Sequence, residues 1–404
     1  MQHNAQQPQA VILSAARLPT GRFLGSYTGI SATQLGALAI KAAVERAGIS
    51  NLESIEEVFM GNVVSAGLGQ APARQASIHA GIPASVGTLT INKVCGSGLK
   101  SVMLAANAIR CGEGDLFVAG GMESMSRAPF LVDGRTGGLR YGHGQLTDAL
   151  LNDGLWDSFE NWGMGDAAEF IAKEFDVTRQ AMDEYAYNSH KKAIAAIDTG
   201  AFKEEIAPVE IPGKKGQVSL FDTDEPPRRD TSLEGLAKLK PAFQKDGLVT
   251  AGNAPGLSDG AAALVVASAL KAEALGIQPI ARVVGYSQAA VEPRYLFDAP
   301  AHAIPRLLDK LGWQLKDVDL IELNEAFSAQ VLANGYALQK YGWDWDKVNV
   351  NGGAIALGHP IGASGAKILT TLIYALKHRA LKRGIAALCL GGAEAVALAV
   401  ELVD

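Results

Sequence analysis

Cys95-Gly96-Ser97-Gly98-Leu99-Lys100 and Ile361-Gly362-Ala363-Ser364-Gly365-Ala366-Lys367 are two versions of one pattern, a Gly-rich turn opening an Ala-rich helix. The first helix runs to about Arg110 and the second to about Lys377. Each leads into an apolar strand followed by a Gly-Gly pair: Asp115-Leu116-Phe117-Val118-Ala119 followed by Gly120-Gly121-Met122-Glu123, and Ile385 to Leu390 followed by Gly391-Gly392-Ala393-Glu394. Upstream, Ala47-Gly48-Ile49 followed by Glu57-Val58-Phe59-Met60-Gly61-Asn62 is echoed by Leu311-Gly312-Trp313 followed by Asp319-Leu320-Ile321-Glu322-Leu323-Asn324. Landmarks recurring in one order are the mark of an internal duplication.

Helical and apolar strand-like segments alternate within each half, so the chain reads as two α/β units, each a largely buried sheet with helices on its faces. From about Met125 to Leu257 the composition changes to Gly-rich turns, an amphipathic segment from Asp166 to Asp198 and a polar Pro-bearing run from Asp222 to Asp230. This stretch reads as an insertion into the first unit. The expected organisation is residues 1–124 for the N-terminal half, 125–257 for a loop domain over the active site, 258–279 for a return to the first half, and 280–404 for the C-terminal half.

A chain of 404 residues, 48% hydrophobic and 19% charged, can bury more than one core and is neither disordered nor fibrous. A net charge of -6 gives no general attraction to nucleic acid, so an anionic ligand must be held locally. Three cysteines, at 95, 111 and 389, make no disulfide framework and show no metal-binding spacing, which fits a reducing compartment. The N-terminal residues lack the basic start and apolar core of a signal peptide, and a cytoplasmic protein is expected. The longest apolar stretch, Ile385 to Val403, is split by Gly391-Gly392 and charged at Glu394, which suits two buried strands and a turn rather than a membrane span.

Cys95 lies just ahead of a helix N-terminus, where unpaired backbone N–H groups and the helix dipole favour a thiolate. By the duplication, the counterpart loop Gly358-His359-Pro360-Ile361-Gly362 brings a histidine to the other helix N-terminus, and both can face one pocket. In so Gly-rich a loop a histidine reads as a placed base, and a Cys-His pair supplies a nucleophile with its proton acceptor. Cys389 ends an apolar strand at a glycine turn, the edge of an α/β sheet where ligands meet side chains. Cys111, in the turn after the first helix, has no such partner and reads as structural. In Asn324-Glu325-Ala326-Phe327 the Asn324 amide can orient a water or a histidine, and Glu325 can cap backbone donors.

Together, Cys95-Gly96-Ser97-Gly98, Asn324-Glu325-Ala326-Phe327, Gly358-His359-Pro360 and Cys389-Leu390-Gly391 resemble, in order and spacing, the motifs of the thiolase family, over nearly the whole chain. The sequence looks most like the acetyl-CoA acetyltransferase branch. The resemblance implies a five-layered αβαβα fold with a loop domain over the active site, and a homodimer or homotetramer (dimer of dimers) acting in fatty acid metabolism. It implies coenzyme A thioesters as substrates, with no metal or other cofactor, and reversible ping-pong condensation of two acetyl-CoA to acetoacetyl-CoA. By the same resemblance Cys95 is acylated, His359 is its base and Cys389 moves the α-proton. Asn324 with His359 forms one oxyanion hole, and the N–H groups of Cys95 and Gly391 form the other.

Coenzyme A contacts implied by the resemblance fall on Arg228, Ala251, Pro255, Met164, Gly163 and Leu296. Three of these regions depart from the family pattern: Gly163 replaces a histidine, Pro255 a serine, and Leu296-Phe297-Asp298-Ala299-Pro300 a Met-Gly-Thr-Gly-Pro type stretch. The alternatives are a degradative 3-ketoacyl-CoA thiolase for longer chains, a condensing enzyme acting on carrier-protein thioesters, and a catalytically silent acyl-CoA binder on the same fold.

Overall fold

The computed structural model describes residues 8–136, 141–213 and 217–403. Glu57–Gly61 pairs in parallel with both Gly87–Ile91 and Leu116–Ser124; Ser258–Ser268 then pairs antiparallel with Leu116–Ser124, and Ala10–Arg17 antiparallel with Ser258–Ser268. The second half repeats that plan: Leu320–Leu323 runs parallel to Arg383–Leu390, Glu394–Leu402 antiparallel to it, and Ala281–Ala290 antiparallel to Glu394–Leu402. The duplication inferred from the Gly-rich turns is therefore also a duplication of strand order. Val11 and Ile12 pair with Arg282 and Ala281, which joins the two half-sheets into one ten-stranded sheet.

The apolar runs are continuous rather than alternating because both faces of each half-sheet are covered. Successive residues of Ala10–Arg17 show this: Ala10 and Ile12 belong to the core between the half-sheets, Val11 and Leu13 to an outer core. The helices Ser97–Cys111 and Ser364–His378 fill the space between the half-sheets. Ala32–Ala47 and Pro72–His79 cover one outer face; Pro300–Leu311 and Ser328–Leu338 cover the other. The result is five layers, αβαβα. No described helix is long and apolar enough to cross a membrane, and Arg383–Leu390 and Glu394–Leu402 form the buried hairpin expected from the apolar C-terminal run.

The central helices cross at their first turns, where Gly98 meets the backbone of Ala363 and Ala366, and Gly365 meets Leu99. A Cβ on Gly98 would lie 2.8 Å from the Ala366 nitrogen, and one on Gly365 would overlap the Leu99 backbone. The amphipathic segment from Asp166 to Asp198 is helical but not continuous. It is two helices, Met164–Glu174 and Arg179–Thr199, broken where Asp176 takes a positive φ of 51° and Thr178 caps the second. The apolar sides of these helices pack with Leu296, Phe297, Phe327 and Cys389.

Gly365→Ala should lose about 1–3 kcal/mol in denaturant unfolding, because the gain in helix propensity is outweighed by steric overlap in a rigid crossing. An unchanged or higher midpoint would contradict this account of the crossing.

Candidate active site

Three turns carry the candidate residues to one place. The first follows Gly87–Ile91: Asn92 Oδ1 accepts from Val94 N at 3.0 Å, and Ser97 Oγ accepts from Lys93 N at 2.8 Å while donating to Val94 O at 2.6 Å. Val94 is held at φ 45°, a left-handed conformation costly for a β-branched residue, and Cys95 follows it. The second turn, after Arg383–Leu390, carries Cys389 and Gly391. It packs on the first through Leu390 against Gly96 and Gly391 against Val94, with a Lys93–Glu394 ion pair of 2.5 Å across the pair.

The third turn joins the short helix Ala354–Leu357 to Ser364–His378. Gly358 takes φ 81°, and a side chain there would strike Ser258, whose hydroxyl accepts from His359 N at 3.2 Å. His359 Nδ1 lies 2.6 Å from Ser364 Oγ. Ser364 gives its own hydroxyl proton to Pro360 O at 2.9 Å, so it must accept from the ring, which fixes the Nδ1–H tautomer and leaves Nε2 free to take a proton. Asn324 extends the strand Leu320–Leu323, its N–H on Ala387 O at 2.9 Å, and its Nδ2 lies 3.5 Å from His359 Nε2. Its buried Oδ1 has no protein partner. Glu325 braces the short helix, accepting from Ile355 N, Ser189, Tyr185 and Asn349.

Cys95, His359, Cys389, Gly391, Gly163, Met164, Pro255 and Leu296 all line one apolar cavity of about 190 Å³. Asn324 is not in that lining; it lies against His359 and lines a separate small cavity with Glu322, Ser364 and Lys367. Arg228 and Ala251 line a second, wider cavity of about 560 Å³, with Arg22, Arg229 and His190. Glu225 and Asp230 line it too, so its charge is mixed, and Ala254, Gly256 and Leu257 belong to the walls of both this cavity and the apolar one. Arg228 is exposed, and its N–H donates to His190 Nδ1 at 3.2 Å; the surface ion pair of this run is made by its neighbour Arg229 with Asp198. Cys111 is exposed at the end of its helix, away from both cavities.

The resting charge state corrects one expectation. Burial pushes the Cys95 thiol up to about 12, against the help of the N–H groups of Cys95 and Gly391, and nearby Glu123 adds to the rise. Desolvation outweighs the helix N-terminus here. Cys389 is raised too, by burial and then by Cys95. His359 is lowered to about 3, by burial and then by Lys367. Thiols and imidazole therefore rest neutral. A proton moved from Cys95 to His359 would leave an ion pair in an apolar cavity, where mutual attraction is strong and two backbone donors meet the sulfur.

Sequence reasoning missed several lining residues: Leu151, Leu155 and Phe243 of the insertion and His190 at the outer cavity. An aromatic ring in the polar run after Pro241 was the available signal for Phe243, which is exposed yet stacks edge-on to Phe327. Among the described residues no cluster of three or more His, Cys, Asp or Glu could hold a metal ion.

The architecture and the site together define a class. Residues 10–270 match the model of the thiolase N-terminal domain and residues 277–402 that of the thiolase C-terminal domain, and the chain belongs to this family. It is 52% identical to the acetyl-CoA acetyltransferase of Pseudomonas aeruginosa over 388 residues, 96% of this chain and 98% of that protein. It is 54% identical to the acetyl-CoA acetyltransferase of Cupriavidus necator over 391 residues, 97% and 98% of the two. The crystal structure of the Bacillus anthracis acetyl-CoA acetyltransferase superposes with a TM-score of 0.94 at 42% identity, covering 98% of this chain and 99% of that one.

Selective ¹⁵N-histidine NMR should find the His359 ring neutral, as its Nδ1–H tautomer, through pH 6.5, protonating only toward about 3. Ser364→Ala should release a tautomer mixture; an unchanged Nδ1–H signal in that variant would contradict the assignment.

Proposed function

We propose that this chain is an acetyl-CoA C-acetyltransferase that reversibly condenses two acetyl-CoA into acetoacetyl-CoA and coenzyme A. The observation that carries the reading is the convergence of Cys95, Cys389 and His359 on one apolar cavity that shares a wall with an outer, arginine-bearing one. The outer cavity suits the nucleotide phosphates, the Ala251–Leu257 wall the pantetheine arm, and the inner cavity the acetyl group. Coenzyme A enters as substrate, and no other cofactor is required.

His359 Nε2 takes the Cys95 proton as the sulfur attacks the first thioester, and the Cys389 thiol, protonated at rest, gives its proton to the departing coenzyme A sulfur. Cys389 is then the thiolate that removes the α-proton of the second acetyl-CoA. The enolate oxygen is met by protonated His359 and a water on Asn324. Carbon attack on acetyl-Cys95 builds an oxyanion facing the Cys95 and Gly391 N–H groups, and collapse returns the His359 proton to Cys95. Because one sulfur is acylated when the proton must move, two cysteines are needed. The ping-pong order follows from that covalent intermediate.

A longer-chain 3-ketoacyl-CoA substrate is the second reading, favoured by one feature: Gly163 leaves room on the cavity wall, since an added Cβ would meet nothing nearer than Asp166 at 3.5 Å. We further propose a loop domain over residues 125–257 and a cytoplasmic homotetramer, or at least a homodimer, in fatty acid metabolism. The outer edge of Gly87–Ile91, terminal in the sheet, supports self-association.

Mixing with acetyl-CoA should add one acetyl group, mapped to Cys95 by intact mass and peptide analysis and absent in Cys95→Ser. Cys389→Ala should still acylate yet lose condensation by about 10²-fold or more. Absence of an adduct with the native chain would refute the mechanism, and strong preference for long chains in a thiolysis series would move the substrate to the second reading.

A further inference from the structure

Lys100 and Lys367 occupy the same place in the duplicated helices, three residues past the serine that ties each catalytic turn. Their surroundings differ. Lys100 is partly exposed and reaches Gln288 Oε1 at 3.2 Å. Lys367 is 6% exposed, and its Nζ donates to Leu357 O at 2.7 Å and Gly358 O at 2.9 Å, the two carbonyls immediately ahead of His359.

Burial lowers the Lys367 ammonium to about 7, and the nearby Asp224 and Glu205 oppose that fall. Arg17, fully buried, binds Asp224 through two nitrogens at 2.8 and 2.9 Å and Glu205 at 2.5 Å. Glu205 also accepts from Thr371 Oγ1 at 3.0 Å, one turn beyond Lys367, and its second oxygen has no hydrogen-bond partner. Two carboxyl groups face one guanidinium beside Lys367: against its burial Asp224 is lowered by Arg17, while burial raises Glu205. Glu322, whose carboxyl is raised well above the usual range by burial, shares a small cavity with Lys367, Asn324 and Ser364. The charged and titratable groups that face Lys367 are thus Asp224, Glu205, Arg17, Glu322 and His359.

We infer that Lys367 is a positioning residue for His359: set beside Arg17, Asp224 and Glu205, its ammonium clamps the Leu357 and Gly358 carbonyls and so fixes the left-handed turn that aims the imidazole into the cavity. Three segments distant in sequence, the first strand, the insertion and the second central helix, then cooperate to hold one ring. The positive charge also disfavours a second one on His359. This role rests on His359 being the base of the proposed mechanism, and adds to it how the base is held.

Lys367→Met keeps the length and removes the charge. It should lower kcat about tenfold or more with KM for acetyl-CoA nearly unchanged, as expected for a misplaced catalytic group. The acid limb of the pH profile should move to higher pH, because loss of the neighbouring charge lets His359 protonate more easily. If that variant folds poorly, Lys367→Met with Glu205→Gln also removes a nearby carboxyl and should regain thermal stability without regaining kcat. A folded variant with unchanged kcat and acid limb overturns the inference. His359→Asn, measured in parallel for acylation by intact mass, separates the two claims: acylation at the native rate would overturn the base assignment itself, whereas a dead His359→Asn beside an unimpaired Lys367→Met overturns the positioning role alone.

Discussion

The backbone crossing of the two central helices at Gly98 and Gly365 is the constraint on which the site depends. Each helix begins where a catalytic turn ends, so the separation of Cys95 from His359 is set by how closely the first turns approach. The same closeness recurs around the crossing: Gly362 O packs on Gly61, Gly98 and Gly121, where any side chain would force the layers apart. Glycine is costly in helices and strands. Its use here trades local propensity for a short distance between two halves that would otherwise carry their reactive groups on separate sheets.

Electrostatics follow from that depth. The cavity holds its thiols protonated and its imidazole neutral, so little charge is buried at rest and charge appears only during turnover. Charge sits in a shell behind the turns, where Arg17 pairs with Asp224 and Glu205 beside a Lys367 that burial lowers to about 7. Such an arrangement is weak evidence for stability, since buried ion pairs often cost as much as they return, and better evidence for fixed geometry.

The fold and the convergence of the candidate side chains Cys95, His359 and Cys389 were legible because duplication writes the same glycines and strand-helix order twice, and because chemistry needs particular residue types at turns. What stayed hidden depends on depth or on distant partners. The sequence places Cys95 by a helix N-terminus but carries no measure of its desolvation, which decides the direction of its pKa. Arg228 and Arg229 are adjacent and alike and both line the outer cavity; only the position of Asp198 on a neighbouring helix decides that Arg229 is the one that pairs. The break in the insertion near Asp176 interrupts a pattern whose periodicity, read alone, continues. Lys367 looks like the solvated lysine of any amphipathic helix until the layer beneath it is known.

The halves also lock each other. In each half a glutamate follows two glycines, which lie inside the strand Leu116–Ser124 in the first and form the turn before Glu394–Leu402 in the second, and each glutamate reaches across to the opposite half. Glu123 accepts from Gly362 N at 3.0 Å and from Val63 and Val64, gripping the turn that bears His359; Glu394 pairs with Lys93 of the turn that bears Cys95. The equivalent serines diverge in the same manner: Ser97 ties its own turn through Lys93 N and Val94 O, while Ser364 ties Pro360 O and has become the partner of an imidazole. A duplicated unit supplied the same donor at the same step of the helix twice. A histidine in one copy and a cysteine in the other then turned a shared structural device into two chemically distinct ones, and neither half alone can contain the site that their crossing makes.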